Sequence, residues 1–405
     1  MATHRLYYDD AFLQNFNARV LACAPVEPFA TESGTIPAWE VIMDRSAFYP
    51  TSGGQPNDSG KIGEANVLDV RDEGDEIVHI VDSEVALGNV YGCLHWPRRF
   101  DHMQQHTGQH LLSAIFQERY GRATVSFHLG SEMSTIDLRG PEPTMEVLHG
   151  AQRATNAVIF EDRPVNVRYG TAEQLARQGA RKEVERAGIL RAIEIEAADL
   201  QPCGGTHVKS TGQIGLVLVR RCTKMRQDWR VEFVCGGRAE QVASADFALL
   251  RTIGEKLSCA PEDAVAAIEK GTGERESNAK SLRVALEQLA GARATLLMQG
   301  ARVGKGGMRE VRALLREEDA ALLLRLATEL AKNEKTVALL GHEPTGQLVF
   351  AQWAGGELDL NALLKEVFAM VAGKGGGTRE FVRGKLVETR RTGEALEVAG
   401  KLVGS

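Results

Sequence analysis

The sequence predicts a multidomain α+β chain, and three observations carry that prediction. Residues 1–95 alternate short apolar runs with turn residues. Residues 96–240 mix helices with strands around two pairs of metal-ligating side chains. Residues 241–405 pass from a long helical stretch into a second alternation of strands and helices. At 405 residues the chain is long enough for roughly two to four domains.

Residues 1–95 are expected to form a small β-barrel. Arg19–Cys23, Ala38–Met43, Ala65–Val70 and Ile77–Val81 are short, apolar and bounded by turn formers, as strands are. Many short strands in succession favour a closed or sandwiched sheet. Between the second and third lies Ala47–Gly60, too rich in Gly, Pro and small polar residues to be a strand. It reads either as a connector or, through its hydroxyls and backbone donors, as a loop that contacts a substrate.

Residues 96–240 read as an α+β domain. A helix over about 103–120 precedes strands at Ala123–Leu129 and Met133–Leu138, then a helix near 144–160 and a strand at Pro164–Tyr169. A charged helix over 171–187 leads to Ile193–Ile195, and further strands follow at Ile214–Val219 and Arg230–Val234. Residues 241–300 read as a helical hairpin linker. Leu282, Leu286, Leu289 and Leu296 recur with coiled-coil character, and Gly271-Thr272-Gly273 is the expected break. Residues 301–405 read as a C-terminal α/β domain, with a helix over 316–333, strands at Thr336–Leu340 and Gln347–Ala351, and a helix near 360–372. The run Gly373-Lys374-Gly375-Gly376-Gly377 lacks the spacing of a Walker loop, and reads as a phosphate cradle or as a flexible turn.

A net charge of −6 excludes a global basic field of the kind that advertises nucleic-acid binding. Two local clusters differ. Arg220, Arg221, Lys224, Arg226 and Arg230 surround the single acid Asp228, and Lys374, Arg379, Arg383, Lys385, Arg390 and Arg391 outnumber Glu380 and Glu388. Each is either a phosphate-binding face or an ordinary solvated surface. Six cysteines with no CxxC spacing point to reduced thiols. With no apolar signal core and no run of transmembrane length, the chain is expected to be soluble, cytoplasmic and without a membrane partner.

The chemistry sits in two short segments, His106-Thr107-Gly108-Gln109-His110 and Cys203-Gly204-Gly205-Thr206-His207. Residues four apart share a helix face, so His106 and His110 can chelate one ion without distorting the backbone. The apolar Leu111–Phe116 that follows marks that helix as buried. Gly204 and Gly205 place the second pair on a tight loop able to fold close around an ion or a substrate. Either pair alone would be ordinary, since two histidines at helical spacing often sit half exposed and a lone cysteine is more often a small buried hydrophobe. Together they offer three imidazoles and a thiol, a donor set suited to zinc (Zn2+). Thr107 stands where a metalloprotease of the HExxH type carries its glutamate, so that chemistry is excluded.

These segments, with the Tyr49–Gln55 loop and the Gly373–Gly377 run in the same order, resemble the alanyl-tRNA editing proteins, in their long form. The resemblance implies an editing unit, a helical linker and a last domain like that of alanyl-tRNA synthetase. No segment reads as an aminoacylation domain, so the activity would be ATP-independent. It implies a trans-editing hydrolase acting on the ester of mischarged Ser-tRNA(Ala), and of Gly-tRNA(Ala), with tRNA(Ala) as partner. His106, His110, Cys203 and His207 match the zinc ligands. Thr51 falls where the family senses the serine hydroxyl, and Gln55 lies in the same loop. His128 stands near the position of a glutamine that the synthetase editing domain carries in a Val-Ser-Gln setting, here Val125-Ser126-Phe127. The two basic clusters, through Arg220, Arg221, Lys224, Arg226, Lys374, Arg379 and Arg383, would carry tRNA.

Four protein ligands leave two routes open. One ligand yields to water at the ion, or the ion positions the substrate while a nearby water attacks. A rival reading is a tRNA-binding module with a structural zinc and no catalysis; another is a hydrolase of small esters. The helical segment suggests self-association without fixing an oligomeric state, a homodimer being the case to test.

Overall fold

The computed structural model describes residues 2–31, 34–181 and 187–404. It divides into two compact units, Met1–Arg251 and Thr252–Ser405. Among the described residues no helix is long and apolar enough to cross a membrane.

The first unit begins with a six-stranded antiparallel sheet: β1 (Asn15–Thr31), β2 (Gly34–Met43), β3 (Gly60–Ile62), β4 (Ala65–Glu73), β5 (Glu76–Val81) and β6 (Gly88–Leu94). The strand order is β1-β2-β5-β4-β3-β6, and β6 pairs back on β1, so the sheet closes on itself. The start of β1 shows why it folds this way: Phe16, Ala18 and Val20 are buried and alternate with exposed residues, the period of a strand with one face inside. They pack with Val41, Met43, Phe48, Ile62, Val67 and Val81 in one apolar cluster. The loop from Ala47 to Ser59 connects β2 to β3 and leaves the ring toward the second layer.

That layer is built on α1 (Trp96–Tyr120), which starts seven residues earlier than expected. Pro97 explains the start, because a proline in the first turn gives up an N–H that has no helical partner anyway. Gly121, in the left-handed conformation at φ 62°, ends it. From His102 to Phe116 nearly every residue is buried. A four-stranded antiparallel sheet flanks this helix: β7 (Thr124–Leu129), β8 (Ser134–Leu138), β12 (Val217–Met225) and β13 (Asp228–Cys235), in the order β12-β13-β8-β7. With α2 (Met145–Phe160, capped by the Thr144 side chain), helix and sheet share one core through Met103, Leu112, Phe116, Ile136, Leu148, Val158, Val217 and Phe233. A second sheet contains β9 (Val165–Gly170), β10 (Leu190–Ile195) and β11 (Asp199–Pro202). The charged helix expected over 171–187 is shorter: α3 (Ala172–Arg177) ends before Gly179, whose φ is 92°, residues 178–181 are not helical, and residues 182–186 of that expectation lie outside the described residues.

The helical stretch corrects two expectations. Helix α4 (Gly236–Leu257) stops at Ser258, whose φ is 56°, and α5 (Ala264–Gln299) then runs unbroken through Gly271-Thr272-Gly273. The chain breaks over residues 258–261 and not at the glycines: Ser258 in the left-handed region ends α4, and Pro261 opens the turn that leads into α5. A helix-interior glycine costs only about 1 kcal/mol, which a 36-residue helix absorbs. The leucine seam is also different. Leu286, Ala290 and Ala294 are buried, while Leu282, Leu289 and Leu296 stay exposed. Small residues one turn apart carry the contact, against α6 (Ala320–Ala331).

The second unit ends in a six-stranded mixed sheet of β14 (Arg302–Val303), β15 (Arg309–Leu315), β16 (Thr336–His342), β17 (Gln347–Gln352), β18 (Gly373–Gly377) and β19 (Phe381–Leu386). Its order is β14-β15-β16-β17-β19-β18, with only β15 and β16 parallel. Helix α6 makes the crossover between that parallel pair, and α7 (Leu360–Met370) and α8 (Thr392–Gly404) pack into the core around Leu339, Phe350 and Val382. The glycine run is not a turn: it is edge strand β18, antiparallel to β19. A Cβ at Gly375 would lie 2.3 Å from the Arg383 carbonyl oxygen, so the close backbone approach requires glycine there.

Candidate metal centre

Helix α1 presents His106 and His110 one turn apart, and the loop after β11 brings Cys203 and His207 to the same point. The four ligand atoms all lie within 4.8 Å of one another. Cys203 Sγ is 3.5 Å from His106 Nε2 and 3.3 Å from His207 Nε2. Tetrahedral zinc with bonds of about 2.3 Å to sulfur and about 2.05 Å to nitrogen would set such S···N edges near 3.5 Å. The donor set therefore fits zinc in type and in spacing. Gly205 makes the fold-over possible. A Cβ there would meet His106 Cε1 at 2.3 Å and Nδ1 at 2.4 Å.

The outer nitrogens explain why the rings point inward. His106 Nδ1 lies 2.9 Å from Gln55 Oε1, His110 Nδ1 3.2 Å from Asp199 Oδ2 and His207 Nδ1 3.1 Å from Thr107 Oγ1. A carboxamide oxygen and a carboxylate can only accept, so His106 and His110 donate from Nδ1. The Thr107 hydroxyl gives its proton to the Met103 carbonyl at 2.8 Å, so it too accepts from His207. All three imidazoles are thereby held in the tautomer that leaves Nε2 free to ligate. Gln55 also joins the elements: its Oε1 accepts from Thr206 N at 3.1 Å and its Nε2 donates to Thr206 Oγ1 at 2.8 Å. Asp199 is fixed by Arg181 Nε at 2.8 Å.

The electrostatics suit a cation. Burial pushes the Cys203 thiol up, but the neighbouring His106 and His207 imidazoles, with the hydrogen bonds of His106 and His110, outweigh it and hold the thiol well below its ordinary range. Burial first, and then the neighbouring His106 ring, lower His207 to about 3, so that ring is neutral. Burial also opposes charge on His110, yet the bonds to Asp199 and Cys203 win and raise it to about 9. A metal arriving there must displace that proton.

A cleft of about 300 Å³ opens beside the four donors. Its wall includes Tyr49, Ser52 and Gly53 of the β2–β3 loop, Phe127 of β7, and Gln109, Arg181 and Gln201. The Phe127 ring lies 5.6 Å from that of His106, centroid to centroid. Tyr49 is buried, which pushes its phenol up and keeps it protonated.

The structure thus brings Gln55, His106, His110, Cys203 and His207 together and leaves other predicted residues outside. Thr51 is exposed and outside the cleft wall, its hydroxyl accepting from Asn57 N at 3.1 Å. His128 is exposed and does not line the cleft; strand alternation turns it away from the side that Phe127 occupies. Of the first basic cluster, Arg220 is paired with Asp246 at 2.5 Å, Lys224 lies over the Trp229 ring, and Arg221 and Arg226 are exposed, Arg226 at the β12–β13 turn. In the second unit Lys374 and Arg383 are exposed on the β18–β19 ribbon, and Arg379 donates to the Glu357 carbonyl at 2.6 Å. Sequence reasoning missed Thr107, Gln109, Asp199 and Gln201. Thr107 and Gln109 lay inside the motif itself, where only the spacing was read.

Residues 1–90 match the family described as tRNA synthetases class II (A), and residues 190–231 match the threonyl and alanyl tRNA synthetase second additional domain, which contains the cysteine loop. The chain is 31% identical to the alanyl-tRNA editing protein AlaX-L of Pyrococcus horikoshii, over 94% of each chain. It is 28% identical to the alanyl-tRNA editing protein Aarsd1 of Mus musculus, over 95% of each. It is also 29% identical to an alanine–tRNA ligase of Pyrococcus abyssi, over 99% of this chain but 44% of that one. With near-complete coverage in both directions, the chain belongs to the alanyl-tRNA editing protein family.

Proposed function

We propose that this chain deacylates Ser-tRNA(Ala), and Gly-tRNA(Ala), in trans, at a zinc site held by His106, His110, Cys203 and His207. Family membership makes it an aminoacyl-tRNA deacylase, a carboxylic ester hydrolase of the alanyl-tRNA editing type. The observation that carries the zinc reading is the convergence of four donors within 4.8 Å, each histidine fixed by an acceptor on its outer nitrogen. Zinc held there supplies a Lewis acid at the edge of the cleft. The chain does the rest. Gln55, Asp199 and Thr107 hold the ligand rings, Phe127 and Tyr49 wall the cleft against bulk water, and the loop Tyr49–Gln55 meets the amino-acid side chain. An aminoacyl ester is already activated, so orientation next to modest polarisation supports its hydrolysis.

Preference for serine over alanine requires groups that hydrogen-bond the serine hydroxyl and lose that partner with alanine. We assign that contact to Thr51 and its neighbours Ser52 and Gly53, with His128 as a peripheral contact to the tRNA end. The clusters of Arg220, Arg221, Lys224 and Arg226 and of Lys374, Arg379 and Arg383 are assigned to phosphate contacts. The cytoplasm is the proposed compartment. Self-association as a homodimer is assigned to the exposed Leu282, Leu289 and Leu296.

The rival, a tRNA-binding module with a structural zinc, draws on the closed set of four protein ligands. One experiment separates them: deacylation of Ser-, Gly- and Ala-tRNA(Ala) side by side, with and without chelator. Loss of Ser-tRNA turnover on chelation with the fold retained supports the enzyme, as does its loss in His106→Ala and Cys203→Ala. Wild-type turnover in a variant shown to contain no metal refutes the zinc reading.

A further inference from the structure

The cleft beside the metal centre contains two acceptors that the chain itself leaves unsatisfied. Gln109, on α1 next to His110, donates from Nε2 to Ser113 Oγ at 2.9 Å, and Ser113 also accepts from Thr124 Oγ1 at 2.8 Å. Its Oε1 is buried with no partner. Gln201, on β11 two residues before Cys203, likewise has a buried Oε1 with no partner. Both residues line the cleft, and among the described residues they are the two in its wall with such an orphaned atom.

A buried oxygen without a donor is costly, and a ligand that supplies the donor recovers that cost. The groups of an aminoacyl ester differ in what they can supply. The ester carbonyl and the terminal phosphate accept only and would leave both oxygens unpaired. The ribose and serine hydroxyls bring one donor each. The α-ammonium brings three donors and no acceptor, as the lysine ammonium does. Arg181 is the arginine in the same wall, and its guanidinium is already paired with Asp199 through contacts of 2.8 and 3.3 Å. It therefore does not repel an ammonium.

We propose that Gln109 and Gln201 hold the α-ammonium of the aminoacyl group and so set the ester carbonyl against the metal centre. The proposal rests on the deacylase reading and deepens it. Every amino acid carries this ammonium, so the contact does not separate serine from alanine or glycine. It separates aminoacyl esters from other acyl esters on the same tRNA.

The test uses the full metal-loaded chain and two esters of one tRNA(Ala), seryl and its 2,3-dihydroxypropanoyl analogue, in which a hydroxyl replaces the ammonium. Single-turnover rates are divided by the spontaneous hydrolysis rate of each ester. Wild type should favour the seryl ester by about 10- to 100-fold, the span expected of hydrogen bonds to a charged group. Gln109→Met and Gln201→Met, which keep the volume and remove the acceptor, should lose that preference by slowing on the seryl ester alone. Gln109→Glu and Gln201→Glu should keep it, and metal content should not change. No preference in wild type, or Met variants that slow on both esters equally at full metal loading, would overturn the assignment. Should a Met variant fail to load metal, the Glu variant at that position decides, preserved preference supporting the assignment and lost preference overturning it. A wild type inactive on both esters would instead overturn the deacylase reading, and this inference with it.

Discussion

Replacing Gln55 with alanine should weaken metal binding before it touches any chemical step. Gln55 is fully buried and makes three contacts: Oε1 with His106 Nδ1 at 2.9 Å and with Thr206 N at 3.1 Å, and Nε2 with Thr206 Oγ1 at 2.8 Å. The variant leaves two buried donors without an acceptor and frees the His106 ring to rotate or change tautomer. At about 1–3 kcal/mol for each unpaired donor, destabilisation of about 2–6 kcal/mol is expected. Loss of such an outer partner also typically lowers metal affinity by about 10- to 100-fold. The assay is competition for zinc against a chromophoric chelator, alongside thermal unfolding of the metal-free and loaded protein. Gln55→Glu should recover most of the affinity, because its carboxylate still accepts from His106 and Thr206. If Gln55→Ala bound zinc with wild-type affinity and lost only turnover, Gln55 would be a catalytic group, and the argument from its hydrogen bonds would be refuted.

Three further predictions follow from other contacts. Gly205→Ala should cost at least tenfold in metal affinity, since its Cβ would sit 2.3–2.4 Å from a ring whose outer nitrogen is already fixed; unchanged zinc titration would show that the loop gives way instead. His79 is fully buried between Ser46 Oγ and the Val41 carbonyl, and burial lowers it to about 4. A basic group with a depressed folded value loses stability as pH falls, because the unfolded chain takes the proton first, at about 6.5. The loss should develop between about pH 6.5 and 4 and reach about 3 kcal/mol, and His79→Gln should flatten that part of the unfolding profile; parallel profiles would refute it. Asp58 pairs in the interior with Arg99, which also donates to the Ala47 and Ala11 carbonyls. Asp58→Ala should destabilise by about 3–5 kcal/mol in chemical denaturation, while the combined removal of both charges should cost less than the two single changes summed.

What the sequence revealed of the centre, and what it hid, divides along local and long-range contacts. The four donors were legible because each pair is local: helical spacing in one, a glycine-softened loop in the other. Their supports were not. Gln55 reaches His106 across 51 positions and Asp199 reaches His110 across 89, and no periodicity encodes such meetings. The same limit explains the linker. A leucine seam is the visible pattern, but Ala290 and Ala294 make the contact, because small residues let a neighbouring helix approach and leave little trace in a hydrophobicity pattern. The glycine run misled for a related reason. Glycine signals a turn when read locally, whereas here it answers a partner strand lying against Gly375.

The long-range contacts also show why the ring sheet belongs to the site and is more than a neighbouring domain. The β2–β3 loop leaves the ring with Asp58 anchored on Arg99 of α1 and with Gln55 clamped between His106 and Thr206. Three segments distant in sequence are thereby fixed to one another around the donors before any ion arrives. A site organised in this way loses little order when its metal leaves. Chelation should therefore remove turnover at a pH where the metal-free protein still unfolds cooperatively. A structural zinc holding the fold together would instead make loss of metal and loss of structure the same event.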